Sequence, residues 1–357
     1  MRRLFDRRRP RVLALVDLVQ DIDVLAPLLV ALRGAQQLSL EIVVSGWLER
    51  ESPRVAALLR RNRLAFRYVR RGDVIAGRAP SLRGIDAVIA AAESSHPAHT
   101  AGHALAERAR SLGLGTYALQ HGFEQVGLYG ADAAAAEFAS DTVFCWFPPA
   151  ETPADLPAAT RAKLVHVGRP APAGGWSRPG AATFDLGVFE NLHWDRYADA
   201  DRTRFGEGLL AVARRLPGAR ILLRPHPAAG WSDALGHQLA PFENITRAGA
   251  LQARRRLEGG AEILRDVSRV ITTPSTVALD AALMGLPVAL AVDGGAAYRP
   301  LPVMEDGEAW VAFALGAAYD PGILDQFCSR VLVAGDGAPR IVERLGQDLA
   351  RTVATSS

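Results

Sequence analysis

Residues 269–290 read RVITTPSTVALDAALMGLPVAL, and this stretch decides how the chain folds. The apolar run 270–273 has the composition of a buried strand, Pro274 turns the chain, and Ser275 and Thr276 open a helix-forming segment at 275–284. A second apolar run follows at 288–292. Strand, helix and strand in this order make a βα unit, because a parallel partner strand is reached only by a crossover, usually a helix.

The same alternation extends in both directions. Upstream in the second half, strands are expected at 184–189 and 220–223, with helices near 201–215 and 260–267. In the first half, strands are expected at 12–16, 40–44, 65–69, 87–91, 116–120 and 142–146, with helices near 22–34, 52–62, 97–112 and 153–163. Between the halves lies HVGRPAPAGGWSRPGAAT, beginning at His166, which is dense in Gly and Pro and reads as a crossover. The stretch 339–353 has the pattern of an amphipathic helix. The expected organisation is an α/β chain with Rossmann-like domains at 1–165 and 166–335 facing a cleft, then a helix at 336–357 that packs back on the first domain. Ligands of such sheets gather at the carboxyl ends of the strands.

Composition removes several function classes. With 49% hydrophobic and 22% charged residues the chain reads as globular, and no apolar run approaches the roughly 20 residues of a membrane span. The start, MRRLFDRRRPRVLALVDL, is basic but its apolar run is cut by Asp17, Gln20, Asp21 and Asp23 without a small-residue cleavage site, so a cytoplasmic location is expected. Arg2, Arg3, Arg7, Arg8, Arg9 and Arg11 against Asp6 form a basic tag that suits an anionic membrane surface or a solvated terminus. No interleaved basic and aromatic pattern suggests nucleic acid. Lys163 is the only lysine and has neither a P-loop nor a Schiff-base context. Cys145 and Cys328 suggest neither a disulfide framework nor a zinc site.

Three segments carry candidate chemistry. In ILLRPHP, residues 221–227, an apolar strand ends in Arg224 and His226 between Pro225 and Pro227, which places two cations at a strand's carboxyl end, suited to phosphate oxygens. In 269–290, the helix start at Ser275 and Thr276 offers free N–H groups and a dipole to an anion, although Ser275 is equally a plain N-cap. Asp280, five residues on, is either solvent-facing or an acceptor for ribose hydroxyls. In TYALQHGFEQVGLYG, His121 sits on a turn after a strand, where an imidazole can take a proton near neutral pH, and Glu124 is its rival or its orienting partner.

These motifs together resemble the bacterial polysaccharide transferases of the GT-B superfamily, especially the CDP-glycerol glycerophosphotransferases and the capsular Kdo transferases, over roughly residues 85–300. The resemblance implies that His121 is the base and that Arg224 with His226 binds donor phosphates. Bacterial sialyltransferases are similar at His226, Pro227, Ser275 and Thr276. The UDP-N-acetylglucosamine 2-epimerases, related in fold, carry a serine and an acid five residues later, matching Ser275 and Asp280. Gln120 before the histidine and Phe123-Glu124 after the glycine depart from the glycerophosphotransferase turn.

Weaker candidates remain. His96, His99 and His103 fall near one face of a helix starting at Pro97, a possible metal arrangement, although no carboxylate joins it at metal spacing and no bound metal is expected. His96 also suits holding an acceptor. In LGVFENLHWDRY, Glu190, Asn191 and His193 follow a strand and suit donor binding, while Trp194 and Tyr197 suit stacking on a base or sugar, or packing. The sequence reading is therefore an inverting, metal-independent glycosyltransferase or glycerophosphotransferase-like enzyme of cell-surface polysaccharide synthesis, without a cofactor. It uses a CMP-, CDP- or UDP-linked donor and a glycan or lipid-linked acceptor. The alternatives are a nucleotide-sugar epimerase or hydrolase of the same fold, for which the first domain offers few obvious acids, and a non-catalytic nucleotide-sugar-binding subunit.

Overall fold

Seven strands make the first sheet of the computed structural model: β1 (Arg11–Val16), β2 (Ser39–Ser45), β3 (Arg67–Val69), β4 (Ala87–Ala90), β5 (Gly115–Leu119), β6 (Thr142–Cys145) and β7 (Leu164–His166). Their order is β3-β2-β1-β4-β5-β6-β7 and every pairing is parallel. The second sheet holds β8 (Leu186–Glu190), β9 (Ile221–Pro225), β10 (Ile245–Arg247), β11 (Val270–Thr272) and β12 (Val288–Leu290) in the order β10-β9-β8-β11-β12, again all parallel. Each sheet is wound outward from its first strand. The order reverses between β1 and β4 and between β8 and β11, the switch points where ligands of open α/β sheets bind.

The structure describes residues 8–129, 136–172, 175–177, 180–226, 230–249, 259–317 and 319–355. Arg2, Arg3, Asp6, Arg7 and Pro227, singled out in the sequence, lie outside them.

The strands are apolar because both faces are covered. In β1 the run Val12–Val16 is wholly buried, and Leu13 and Leu15 pack with Val43, Val88 and helix residues Ala101, Leu105 and Ala109. In the second sheet Val188, Ile221 and Ile271 share a core with Phe205, Leu209 and Trp310. The three-residue strands β7 and β10 and the helices Gly307–Ala314 and Gly322–Val331 were not singled out in the sequence, the strands being too short to carry a period. Gly285, with φ of 68°, ends the helix Thr276–Leu283 in the left-handed conformation that glycine adopts without strain.

The chain divides into two units, Met1–Ala173 with Leu332–Ser357, and Gly174–Val331. The helix Gly337–Thr355 thus belongs to the first unit, where it packs on the helix Asp21–Gly34 and where Tyr117 donates to Asp348 at 3.3 Å. Part of the basic start is used within this unit. Arg8 pairs with Asp86 at 2.8 Å and Arg11 with Glu41 at 3.0 Å. Among the described residues no helix is long and apolar enough to cross a membrane.

Candidate functional site

The switch point of the second sheet gathers the residues singled out in the second half. β8 ends in Glu190 and passes to Asn191, while β11 passes to Thr273, Pro274 and Ser275. Two hydrogen bonds tie these loops together: Asn191 N donates to Thr273 Oγ1 at 3.0 Å, and Asn191 Nδ2 donates to the Pro274 carbonyl at 2.9 Å. Ser275 caps the helix Thr276–Leu283, its Oγ accepting from Val277 N at 3.3 Å and meeting Thr272 Oγ1 at 3.1 Å. That helix carries no acid in its first turn. Arg224 lies on the adjacent β9, in register with Phe189 of β8.

The surroundings correct two sequence expectations. Arg224 is not a projecting cation but a buried one, 7% exposed, because β9 runs on through Pro225. His226, which donates its backbone N–H to Glu190 O at 2.7 Å, is not a cation at neutral pH. Burial, with His193 and Arg224 adding to it, pulls its imidazole down to about 4. It is a neutral ring tilted 32° to His193, 5.3 Å between centres, and His193 in turn lies 4.6 Å from Trp194.

Glu190 braces the edge. Its oxygens accept from Ser232 N at 3.0 Å, Ser232 Oγ at 2.8 Å and Leu192 N at 2.9 Å, while burial pushes the carboxyl upward against those bonds. Asp280 is buried, which removes the solvent-facing alternative. It shares a helix face with Thr276, one turn on, and a side chain at Gly260 would begin 3.8 Å from its Oδ2. Tyr197 is buried, whereas Trp194 is 48% exposed.

The first sheet's switch point is built differently. Asp17 follows β1 and is buried, held by Arg71 Nε at 3.1 Å and by the Ser45 hydroxyl. Asp21 occupies the start of the helix Asp21–Gly34, where its Oδ2 accepts from Leu18 N at 2.8 Å and Asp17 N at 3.0 Å. Burial raises Asp21 to about 8, with the Asp17 charge adding to it, so this carboxyl keeps its proton at neutral pH. These two acids, with Glu93, are what sequence reading overlooked in the first domain. The available signal was an acid directly after an apolar strand, as Asp17 is in RVLALVD.

Three imidazoles stand at the ends of β4 and β5. His99 lies 5.2 Å from both His96 and His121 between ring centres, and its Nδ1 meets Ser94 Oγ at 2.7 Å. The helix Thr100–Ser111 lies close to the segment after β4 at Gly102, where a Cβ would come within 2.3 Å of the Ala92 carbonyl. His121 Nδ1 faces the Ala91 carbonyl at 3.3 Å, and Gln125 Oε1 holds its backbone N–H at 2.7 Å. Burial draws His121 down to about 4 and His99 to about 3, so both are neutral at physiological pH. Glu124 lies half-buried in the turn after His121.

His103 does not join the expected histidine face. Its Nδ1 bonds Glu93 at 2.9 Å, and Glu93 also accepts from Ala139 N and Ser140 N. Among the described residues no group of three His, Cys, Asp or Glu side chains is placed to hold a metal ion.

No protein-family model and no curated protein matches the chain. Solved structures do. A Listeria monocytogenes protein described as a UDP-N-acetylglucosamine 2-epimerase superposes with a TM-score of 0.67 at 14% identity, covering 94% of this chain and 95% of that one. The UDP-GlcNAc 2-epimerase from Neisseria meningitidis, bound to UDP-GlcNAc, gives 0.62 at 11% identity over 94% and 99%. The calicheamicin glycosyltransferase CalG4 gives 0.55 at 12% identity over 96% and 99%. At these identities the likeness is one of fold, and the fold of this chain is the two-sheet α/β fold of the GT-B type.

Proposed function

We propose that the protein is an enzyme acting on a nucleotide-diphosphate sugar, with uridine diphosphate as the carrier and epimerisation of the sugar as the reaction. The observation that carries the reading is the second sheet's switch point, where a helix without an acid in its first turn and the hydroxyl groups of Thr273 and Ser275 follow β11, with a buried arginine near the end of β9, along the carboxyl ends of β9, β8 and β11. Such an edge suits phosphate oxygens, which accept hydrogen bonds and carry negative charge. Asp280 is assigned to ribose hydroxyls, and Asn191, His193 and His226 to the neutral part of the ligand. The likeness to UDP-GlcNAc 2-epimerases favours a UDP-sugar over the CMP- or CDP-linked donors expected from sequence.

Epimerisation by proton exchange needs a base and an acid. The first unit carries a neutral imidazole at His121 and a carboxyl that keeps its proton at Asp21, both at one sheet edge. A second reading, inverting transfer to a glycan or lipid-linked hydroxyl, rests on His121 alone, since a neutral imidazole equally suits deprotonation of an acceptor. Under either reading Arg2, Arg3, Arg7 and Arg9 of the basic start are assigned to anionic lipid, checked by cosedimentation with anionic vesicles at low and high salt.

The test is in two stages. Thermal stability is measured against UDP, CDP, CMP and GDP, since a ligand that binds only the native state raises the melting temperature. UDP is expected to give the largest rise, and no rise with any nucleotide overturns the reading. UDP-N-acetylglucosamine is then incubated with the protein in D2O and followed by NMR. Inversion of a carbon through loss of its C–H proton places deuterium there, whereas transfer to an acceptor leaves the sugar's carbon-bound hydrogens in place.

A further inference from the structure

The hydrogen bonds of the three imidazoles assign their protons. His96 Nδ1 accepts from Ala98 N at 3.2 Å, so that nitrogen bears a lone pair and the ring's proton sits on Nε2. His121 has the opposite arrangement. Its Nδ1 faces the Ala91 carbonyl, which can only accept, so the proton of the neutral ring sits on Nδ1 and Nε2 is bare. His96 and His121 are half-buried residues, whereas His99, between them, is buried and hydrogen-bonded to Ser94.

We propose that the first unit contains a paired proton-transfer site for a polyhydroxylated ligand, in which His121 Nε2 accepts a proton, His96 Nε2–H donates a hydrogen bond to another atom of the same ligand, and His99, held by Ser94, positions both rings. When the ligand's O–H or C–H bond breaks, its proton bonds to His121 Nε2 and the electron pair stays on the ligand. His96 supplies a fixed donor to the part of the ligand where negative charge gathers, without giving up its proton. A ring edge-on to His121, at 86°, and tilted 56° to His96 restrains both side chains by contact on one side of each. His96 and His121 are thus the catalytic residues of the pair, and His99 and Ser94 are positioning residues. The role given to the ligand rests on the nucleotide-sugar reading above, whereas the proton assignment does not.

The experiment has two arms, both on the full chain. In the first, ring nitrogens of histidine-labelled protein are read by long-range proton–nitrogen NMR at pH 7, the signals being assigned with His96→Gln and His121→Gln. The expected result is a bare Nε2 for His121 and a bare Nδ1 for His96, and the reverse in either ring overturns the proposal even if no substrate turns over. In the second, turnover of UDP-N-acetylglucosamine is followed. His96→Leu is expected to lower kcat by about 10²-fold, the worth of one fixed donor, with His96→Gln, whose amide still donates, losing less. His99→Gln and Ser94→Ala are expected to lower kcat by up to about 10²-fold through misplacement, with KM little changed and with the two ring signals broadened or moved. Equal kcat in wild type, His96→Leu and His99→Gln overturns the proposal while leaving the nucleotide-sugar reading intact. Absence of nucleotide binding in the wild type removes that reading while the first arm still decides the proton assignment.

Discussion

The two switch points share one topology and opposite chemistry. At the first switch point the helix after β1 opens with Asp21, whose carboxyl takes the backbone N–H groups of Asp17 and Leu18, while at the second the helix after β11, Thr276–Leu283, has no acid in its first turn. The first unit's helix after β4, Thr100–Ser111, likewise has no acid in its first turn, so the two edges differ in the side chains at their strand ends: a buried arginine and hydroxyls in the second unit, buried acids and imidazoles in the first. The buried arginine stands on β9, in register with β8, and the three clustered imidazoles follow β4 and β5. Topology supplies the place, and the side chains at the strand ends decide its use.

The largest expected effect separates the two edges outright. His121→Asn should lower turnover by about 10²- to 10⁴-fold, the worth of general-base catalysis, at unchanged nucleotide affinity measured by calorimetry. Glu124→Gln is the rival, and a larger loss in that variant moves the base to Glu124. Next, Thr276→Asp places an acid in the first turn of the helix after β11. Nucleotide affinity should fall by two orders of magnitude or so, about 3 kcal/mol, while the melting temperature holds or rises, since an acid near a helix start stabilises it by about 0.3–1 kcal/mol. Nucleotide binding that survives this change breaks the comparison. Arg224→Ala should weaken nucleotide binding by about 10- to 100-fold, the worth of charged hydrogen bonds, and because Arg224 is buried its folded fraction must be checked by circular dichroism.

The smallest effect is on stability against pH. Asp21 is ionised in the unfolded chain above its ordinary value of 3.8 but stays protonated in the folded one up to about 8, so stability is full below the lower value and is lost as pH rises toward the upper. His226 works in the other direction. Its pKa falls from 6.5 to about 4 on folding, so the stability it contributes is present above 6.5 and is lost as pH falls through that window. Asp21→Asn should therefore gain in melting temperature over the wild type as pH rises from about 4 to 8, and His226→Asn should gain as pH falls from about 6.5 to 4. A pH-independent difference in either variant contradicts the environment assigned to that side chain.

Much of the fold was legible because strand and helix periods are local. The runs RVLALV and ILLRP and the unit 269–290 identify parallel strands by their own composition, and Ser275 marks its helix start through a bond to Val277 only two residues on. The same locality limits the site. Arg224, His226, Ser275 and His121 were recognisable as polar residues after apolar strands, yet their charge was not: His226 reads as a cation in sequence, and only burial beside His193 and Arg224 makes it neutral. Asp17 and Asp21 read in sequence merely as interruptions of an apolar run, and their roles at the sheet edge appear only in the folded unit.

By itself, then, the sequence determined two successive parallel sheets and the residue types at their strand ends, because hydrophobic period, turn residues and helix caps act over a few positions. Tertiary structure decided which strand ends are neighbours. The bond from Asn191 to Pro274, the contact of His99 with His121 and the pair of Arg71 with Asp17 join residues far apart in the chain. It also decided which of those groups are charged, since desolvation and neighbouring charge are properties of the packed interior and have no local signature in sequence.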